Sequence, residues 1–126
     1  MPNADEIMAF LEELKGKDPR IKACMVAKRG LEGLIMFPPN FKEEISTVWD
    51  PLSKNVDDVL SMVARYSSLG LKRMYSEILG YGIFFVALPA SDTALAVFTK
   101  EENNMRDFET LMGYMDGTVD RILERF

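Results

Sequence analysis

Residues 72–99 read KRMYSEILGYGIFFVALPASDTALAVFT, and the architecture of the whole chain turns on them. Two runs inside this stretch, Ile83-Phe84-Phe85-Val86-Ala87-Leu88 and Ala94-Leu95-Ala96-Val97-Phe98, are apolar at every position. Successive strand residues point to opposite faces, so a run without polar alternation expects cover on both sides. Such runs usually belong to parallel sheets, but only Pro89-Ala90-Ser91-Asp92 and Thr93 separate these two. No crossover helix fits into so short a connection, and the pair must be antiparallel. The predicted strands are 72–79, 82–88 and 94–99, with Gly80-Tyr81-Gly82 as the other tight connection, and together they form a meander. The first alternates Arg73, Tyr75 and Glu77 with Met74, Ser76 and Ile78, the mixed surface expected of an edge strand.

Upstream, residues 3–15 carry Ile7, Phe10, Leu11 and Leu14 at helical spacing, with Asn3 as the cap and Gly16 as the stop. Strands are expected at about 21–28 and 32–37, split by Arg29-Gly30, with Ile21, Ala23, Met25 and Ala27 on one face. The short split makes them an antiparallel hairpin, closed by Pro38-Pro39-Asn40. A long helix is expected from Asp50-Pro51 to about Leu69, ended by Gly70, with residues 43–49 as a separate turn ahead of it. A last helix runs from about Met105, capped by Asn104, with Phe108, Met112, Met115, Val119, Ile122 and Phe126 on its apolar stripe. An antiparallel sheet buried on both faces needs helices on both, which gives an α/β fold: a three-layer α/β/α sandwich around five antiparallel strands. The long helix is expected on one face and the terminal helices on the other. The pattern shows no repeat or linker, so 1–126 reads as one domain.

The chain has 126 residues, is 48% apolar and 28% charged, and carries a net charge of −5. With no histidine, the commonest general base and metal ligand are missing. Cys24 is the only cysteine, which excludes an internal disulfide and a Cys/His zinc site and fits a reducing, cytoplasmic setting. The acidic balance disfavours nucleic acid and anionic membranes as partners. The longest uncharged run, 78–91, is too short to span a bilayer, and the acidic N-terminal residues do not read as a signal peptide. These absences point away from an enzyme, a metal and a cofactor.

The long helix has more apolar surface than one sheet can use. Leu52, Val56, Val59, Val63 and Tyr66 make a complete stripe; Leu60, Ala64 and Leu71 widen it on one flank, Met62 and Leu69 on the other. At 100° per residue roughly 220° of the circumference is apolar or small, against the 100° or so that a surface helix needs. Neighbouring loops are one candidate cover; a second copy of the chain is the sharper expectation, since self-complementary two-fold interfaces are the commonest kind.

Other constellations have ordinary explanations. Asp57-Asp58 and Asp116 with Asp120 read as solvated helix faces, because acid/base work needs burial or crowding to separate two carboxyl pKa values. Gly30-Leu31-Glu32-Gly33 joins strands, unlike a nucleic-acid clamp, and Gly80-Tyr81-Gly82 lacks the lysine of a phosphate loop. Tyr66-Ser67-Ser68 has hydroxyls but no base to activate them. Of nine methionines, Met62 and Met36 are the ones available to a binding surface. Cys24 reads as an inert core thiol, and Trp49 as a buried ring or, if exposed, a contact anchor.

Residues 75–100, with the apolar strand 83–88, the tight turn and Thr93-Ala94-Leu95-Ala96-Val97-Phe98, resemble the last two strands of the roadblock (dynein light chain) family. Met25-Val26-Ala27-Lys28-Arg29-Gly30 looks like that family's first hairpin, although Ala27 and Lys28 stand where an aspartate is often found. The likeness covers essentially the whole chain. It implies a dimer in which the long helix and adjacent edge strand of each copy pair, joining two sheets into one. It also implies a scaffold or regulator of small Ras-like GTPases without catalytic residues of its own. On that basis Leu60, Met62, Ala64, Ser67, Leu71, Met74, Tyr75 and Ser76 are the expected dimer interface, and Lys54, Asp58, Ser61 and Arg65 the expected partner contacts. The partner at the interface is a second copy or a second roadblock chain. The alternatives are a monomeric profilin-like or sensor-like ligand module, with Ser76, Glu77, Tyr81 and Thr93 as its polar lining, and a subunit of a larger hetero-assembly.

Overall fold

All seven residues of the strand Tyr81–Ala87 are buried, as are all but the last of Thr93–Lys100, so the two-sided cover expected of these runs is real. The computed structural model describes residues 4–89, 92–100 and 108–124. Asn3, Asn104, Met105, Phe126 and the side chain of Phe108, all read above as parts of the terminal helices, lie outside the described residues.

In chain order the elements are α1 (Ala4–Gly16), β1 (Ile21–Lys28), β2 (Ile35–Phe37), the short α2 (Phe41–Glu44), α3 (Ser46–Tyr66), β3 (Arg73–Ile78), β4 (Tyr81–Ala87), β5 (Thr93–Lys100) and α4 (Phe108–Leu123). The five strands form one antiparallel sheet in the order β2-β1-β5-β4-β3. Its two faces carry separate cores. On one, Met25, Phe85 and Phe98 pack under Leu52, Val56, Val59, Leu60 and Val63 of α3. On the other, Val26, Phe84 and Val97 pack under Phe10, Leu11 and Leu14 of α1 and Leu111, Met115 and Ile122 of α4. This is the expected α/β/α sandwich, with β3 at an edge.

Three local expectations are corrected. Ile21 does not share the face of Ala23, Met25 and Ala27. The register of β1 against β5 slips between Ile21 and Ala23, a bulge that spends Lys22 as an extra residue and turns Ile21 toward α1. Second, α3 begins at Ser46, so Pro51 lies inside it and residues 46–49 belong to the helix. Proline there removes one bond to the carbonyl of Thr47, an exposed residue, while buried Ile45 and the packed Val48 and Trp49 hold the first turn against the sheet. Packing overrides the local proline signal. Third, the β3–β4 turn is Leu79-Gly80, with φ of 54° and 79°, and Tyr81 and Gly82 already belong to β4. Two left-handed residues are what a type I′ hairpin requires, and leucine adopts that backbone at a cost glycine does not bear. Gly82 has a different reason to be glycine: a Cβ there would stand 2.9 Å from Thr99 Oγ1 and 2.9 Å from the Tyr75 hydroxyl.

Asp18 ties α1 to β1. Its carboxylate accepts from the backbone N–H of Arg20 at 2.9 Å and from that residue's guanidinium, and it is 6% exposed. The Arg20 side-chain hydrogen bond holds the Asp18 carboxyl below its ordinary 3.8, against the opposing effect of burial. A lowered folded pKa stabilises above the unfolded value and is lost as pH falls through the folded one. Between about pH 5 and about pH 2 the urea-unfolding free energy should therefore drop less steeply in Asp18→Asn than in the parent chain. Leu60→Ala should cost about 2–5 kcal/mol by the same measurement, because Leu60 is 1% exposed and fills the core under α3.

Candidate functional site

The helix α3 divides into four strips. Its sheet-facing strip is Leu52, Val56, Val59, Leu60 and Val63, all buried. Tyr66, expected there, is 40% exposed, and Leu60, expected on a flank, is inside. The buried arc is rotated by roughly 25° from the one drawn at 100° per residue, enough to exchange these two. Leu60 has no surface to offer a partner and drops out of the expected interface.

Asn55, Met62 and Tyr66 share a second strip, being seven and then four residues apart. The Ser76 hydroxyl donates to Asn55 Oδ1 at 2.8 Å, which fixes this strip on the side of β3. Met62 is 39% exposed, and Leu69, in the 3-10 turn Ser67–Leu69 that prolongs the helix, is 80% exposed. The opposite strip holds Asp57 and half-buried Ala64. Asp57 is not a merely solvated carboxylate: it accepts the N–H of Gly30 and pins the β1–β2 connection to α3. Ala64 therefore faces away from β3, apart from Met62, Met74 and Ser76.

The fourth strip points away from the sheet. Lys54, Asp58 and Arg65 are exposed and Ser61 is half-buried, so the expected partner contacts do lie on one face. The Arg65 guanidinium sits 5.8 Å from the Tyr66 ring, linking this face to the β3 flank.

Strand β3 is the open edge beside that flank. The carbonyl of Lys72 accepts the N–H of Ala87 at 2.7 Å, and Arg73 stands opposite Val86. Antiparallel alternation then turns the main-chain groups of Met74, Ser76 and Ile78 toward β4 and those of Arg73, Tyr75 and Glu77 to the open side. Met74 and Ile78 pack toward α3. Tyr75 instead lies on the α4 face, its ring 4.7 Å from that of Phe84 and its hydroxyl donating to Glu77 at 3.1 Å. Burial, then that bond to Glu77, raises the Tyr75 pKa. Arg73 pairs with Asp116 of α4 at 2.5 Å, so Asp116 is not merely a solvated carboxylate either. Ser67 and Leu71 are half-buried in the link from α3 to β3.

Elsewhere, Met36 is a core residue at 4% exposure, and Trp49 is half-buried beneath the ammonium of Lys42 at 5.8 Å. Burial pushes the Cys24 thiol up to about 12, far from a reactive thiolate. Of the polar residues considered for a ligand pocket near the meander, Tyr81 lines a cavity; Ser76 and Glu77 are engaged at the β3 edge and Thr93 is buried. Lys15, Lys22 and Lys100 line the same cavity, a convergence sequence spacing did not signal. Among the described residues no three His, Cys, Asp or Glu side chains come together as a metal site, and no helix is long and apolar enough to cross a membrane.

No family model matches the sequence, and comparison with curated proteins finds no relative. Solved structures do resemble it. Myxococcus xanthus MglB is 13% identical with a TM-score of 0.64, over 98% of this chain and 92% of that one. Myxococcus xanthus MglC is 12% identical with a TM-score of 0.66, over 94% and 97%. A Roadblock/LC7 domain from Streptomyces avermitilis is 15% identical with a TM-score of 0.57, over 92% and 93%. In element order, sheet topology and extent of overlap, the chain has the roadblock fold.

Proposed function

We propose that the chain is a non-catalytic homodimeric scaffold that binds and regulates a small Ras-like GTPase. One observation carries this reading. Of the four large apolar side chains exposed among the described residues, Met62, Tyr66 and Leu69 lie on or just beyond the β3 flank of α3, and only Leu79 lies elsewhere. That apolar flank adjoins β3, which among the described residues is an edge strand of the sheet. Together they offer both halves of an interface: surface that gains from leaving water, and a sheet edge that a further strand can extend.

A two-fold axis through Tyr75 satisfies both. It pairs the open edges of two β3 strands in antiparallel register and sets Arg73 across from Glu77 of the partner subunit. It also brings the two Met62–Tyr66 flanks together. The resemblance to roadblock proteins supports the same arrangement, since their long helices and edge strands pair in this way. The strip Lys54, Asp58, Ser61 and Arg65 then stays uncovered and continuous across the two helices, the position for a GTPase. A second roadblock chain in place of the second copy leaves this geometry unchanged.

Across a dilution series, light scattering should give the mass of two chains for the parent protein. The double variant Met62→Glu/Tyr66→Glu should give the mass of one and remain folded, because both side chains are exposed in the single chain. A monomeric parent, or a variant that remains dimeric, overturns the interface. Arg65→Glu should stay dimeric while weakening binding to the small Ras-like GTPase of the same organism by about tenfold, the loss of one charge-assisted contact. Unchanged affinity in that titration removes Arg65 from the GTPase-facing surface.

A further inference from the structure

We propose that the chain holds a binding site for a small organic anion, an apolar body bearing a carboxylate or phosphate, at the end of the sheet where β1 begins and β5 ends. A cavity of about 430 Å³ opens there between α1, α2 and the strand ends. Among the described residues its charged lining is Lys15, Lys22, Lys100 and Glu44, three cations to one anion in a chain whose net charge is −5. The Glu44 carboxylate is already engaged, accepting from the Asn40 side chain at 3.2 Å. Among the described residues neither Lys15 nor Lys22 makes an ion pair.

Three separate elements place these lysines around one cavity. Lys22 is the extra residue of the β1 bulge, and a bulge re-aims the side chain it adds. Lys100 stands opposite Tyr81 in the β4–β5 ladder and its ammonium lies 4.1 Å from that ring's centroid, a cation–π contact between two residues of the lining. Buried Ile21, Phe41 and Ile45 supply apolar walls. Like charges gathered around a concavity with low-dielectric walls repel one another and focus their field on whatever anion enters. A volume of this size, open on one side, suits a small molecule. The site is separate from the flank of α3 and the edge of β3, so it stands or falls independently of the dimer and the GTPase.

Phenyl phosphate, benzoate, benzyl alcohol and inorganic phosphate, titrated separately to millimolar concentration against the 15N-labelled full chain, test this. Phenyl phosphate or benzoate should produce saturable amide shifts centred on Ile21, Lys22, Tyr81 and Lys100. The affinity should fall at least tenfold in Lys22→Glu and in Lys100→Glu, which both melt like the parent because the two lysines are exposed. Tighter binding of phenyl phosphate than benzoate assigns a phosphate ligand, and the reverse a carboxylate; either supports the site. Absence of saturable shifts at these amides overturns it, as does equal binding of benzyl alcohol or indifference to both substitutions. Inorganic phosphate binding as well as phenyl phosphate overturns it too, because the apolar walls would then contribute nothing.

Discussion

A sheet with no polar face is the constraint from which the rest of this structure follows. Phe84 and Phe85 are adjacent in β4, and each sends a ring into a different core. Neither face of β4 or β5 can meet water without exposing large apolar area, so the three helices must close over both faces together. The two cores share one set of backbones. Loosening α3 loosens strands that α1 and α4 also hold, which argues for one cooperative unit rather than two layers that open separately. It also explains why the terminal helices, far apart in sequence, cover the same side.

The demand falls unevenly. One face is shared by two helices, while α3 covers the other with five buried side chains and help from Phe41 and Ile45. A single helix cannot reach both edges of a five-stranded sheet. Its flank over β2 is fastened by Asp57 to the turn at Gly30, and its flank over β3 by the bond between Asn55 and Ser76. Beyond that second bond the helix runs out of sheet to cover, and Met62 and Tyr66 are left with water on one side. The uncovered surface is therefore a product of the same geometry that builds the core, and it lies beside the edge strand β3.

Much of the architecture was legible in the chain because it rests on short-range signals. The unbroken apolar runs of β4 and β5 and the brevity of the connection between them leave little choice of topology. What could not be read depends on how elements seat against each other. Leu60 and Tyr66 exchanged places through a small rotation of α3, which periodicity cannot resolve when apolar residues lie on both sides of a stripe. Pro51 marked a helix start by local rules, yet the packing of Ile45, Val48 and Trp49 carried the helix past it. Asp57 and Asp116 looked like solvated charge until the fold supplied Gly30 and Arg73 as partners. Spacing alone shows that Lys54, Asp58, Ser61 and Arg65 share one face of α3, while their choice as a contact surface rests on the family resemblance. The cluster of Lys15, Lys22 and Lys100 was not readable from spacing, because one comes from a helix end, one from a bulge and one from the far end of β5.

Strand β2 has consequences beyond its size. It is only three residues long, and Pro38 and Pro39 follow it immediately, so its outer side offers little ladder for another strand to extend. The two margins of the sheet are thus unequal: one is extensible, the other blunt. A chain that adds to the β3 margin through a two-fold axis leaves a blunt margin at each end of the doubled sheet. Strand addition then terminates after one step, which separates a closed assembly from a growing fibre and makes an exposed edge tolerable at high concentration.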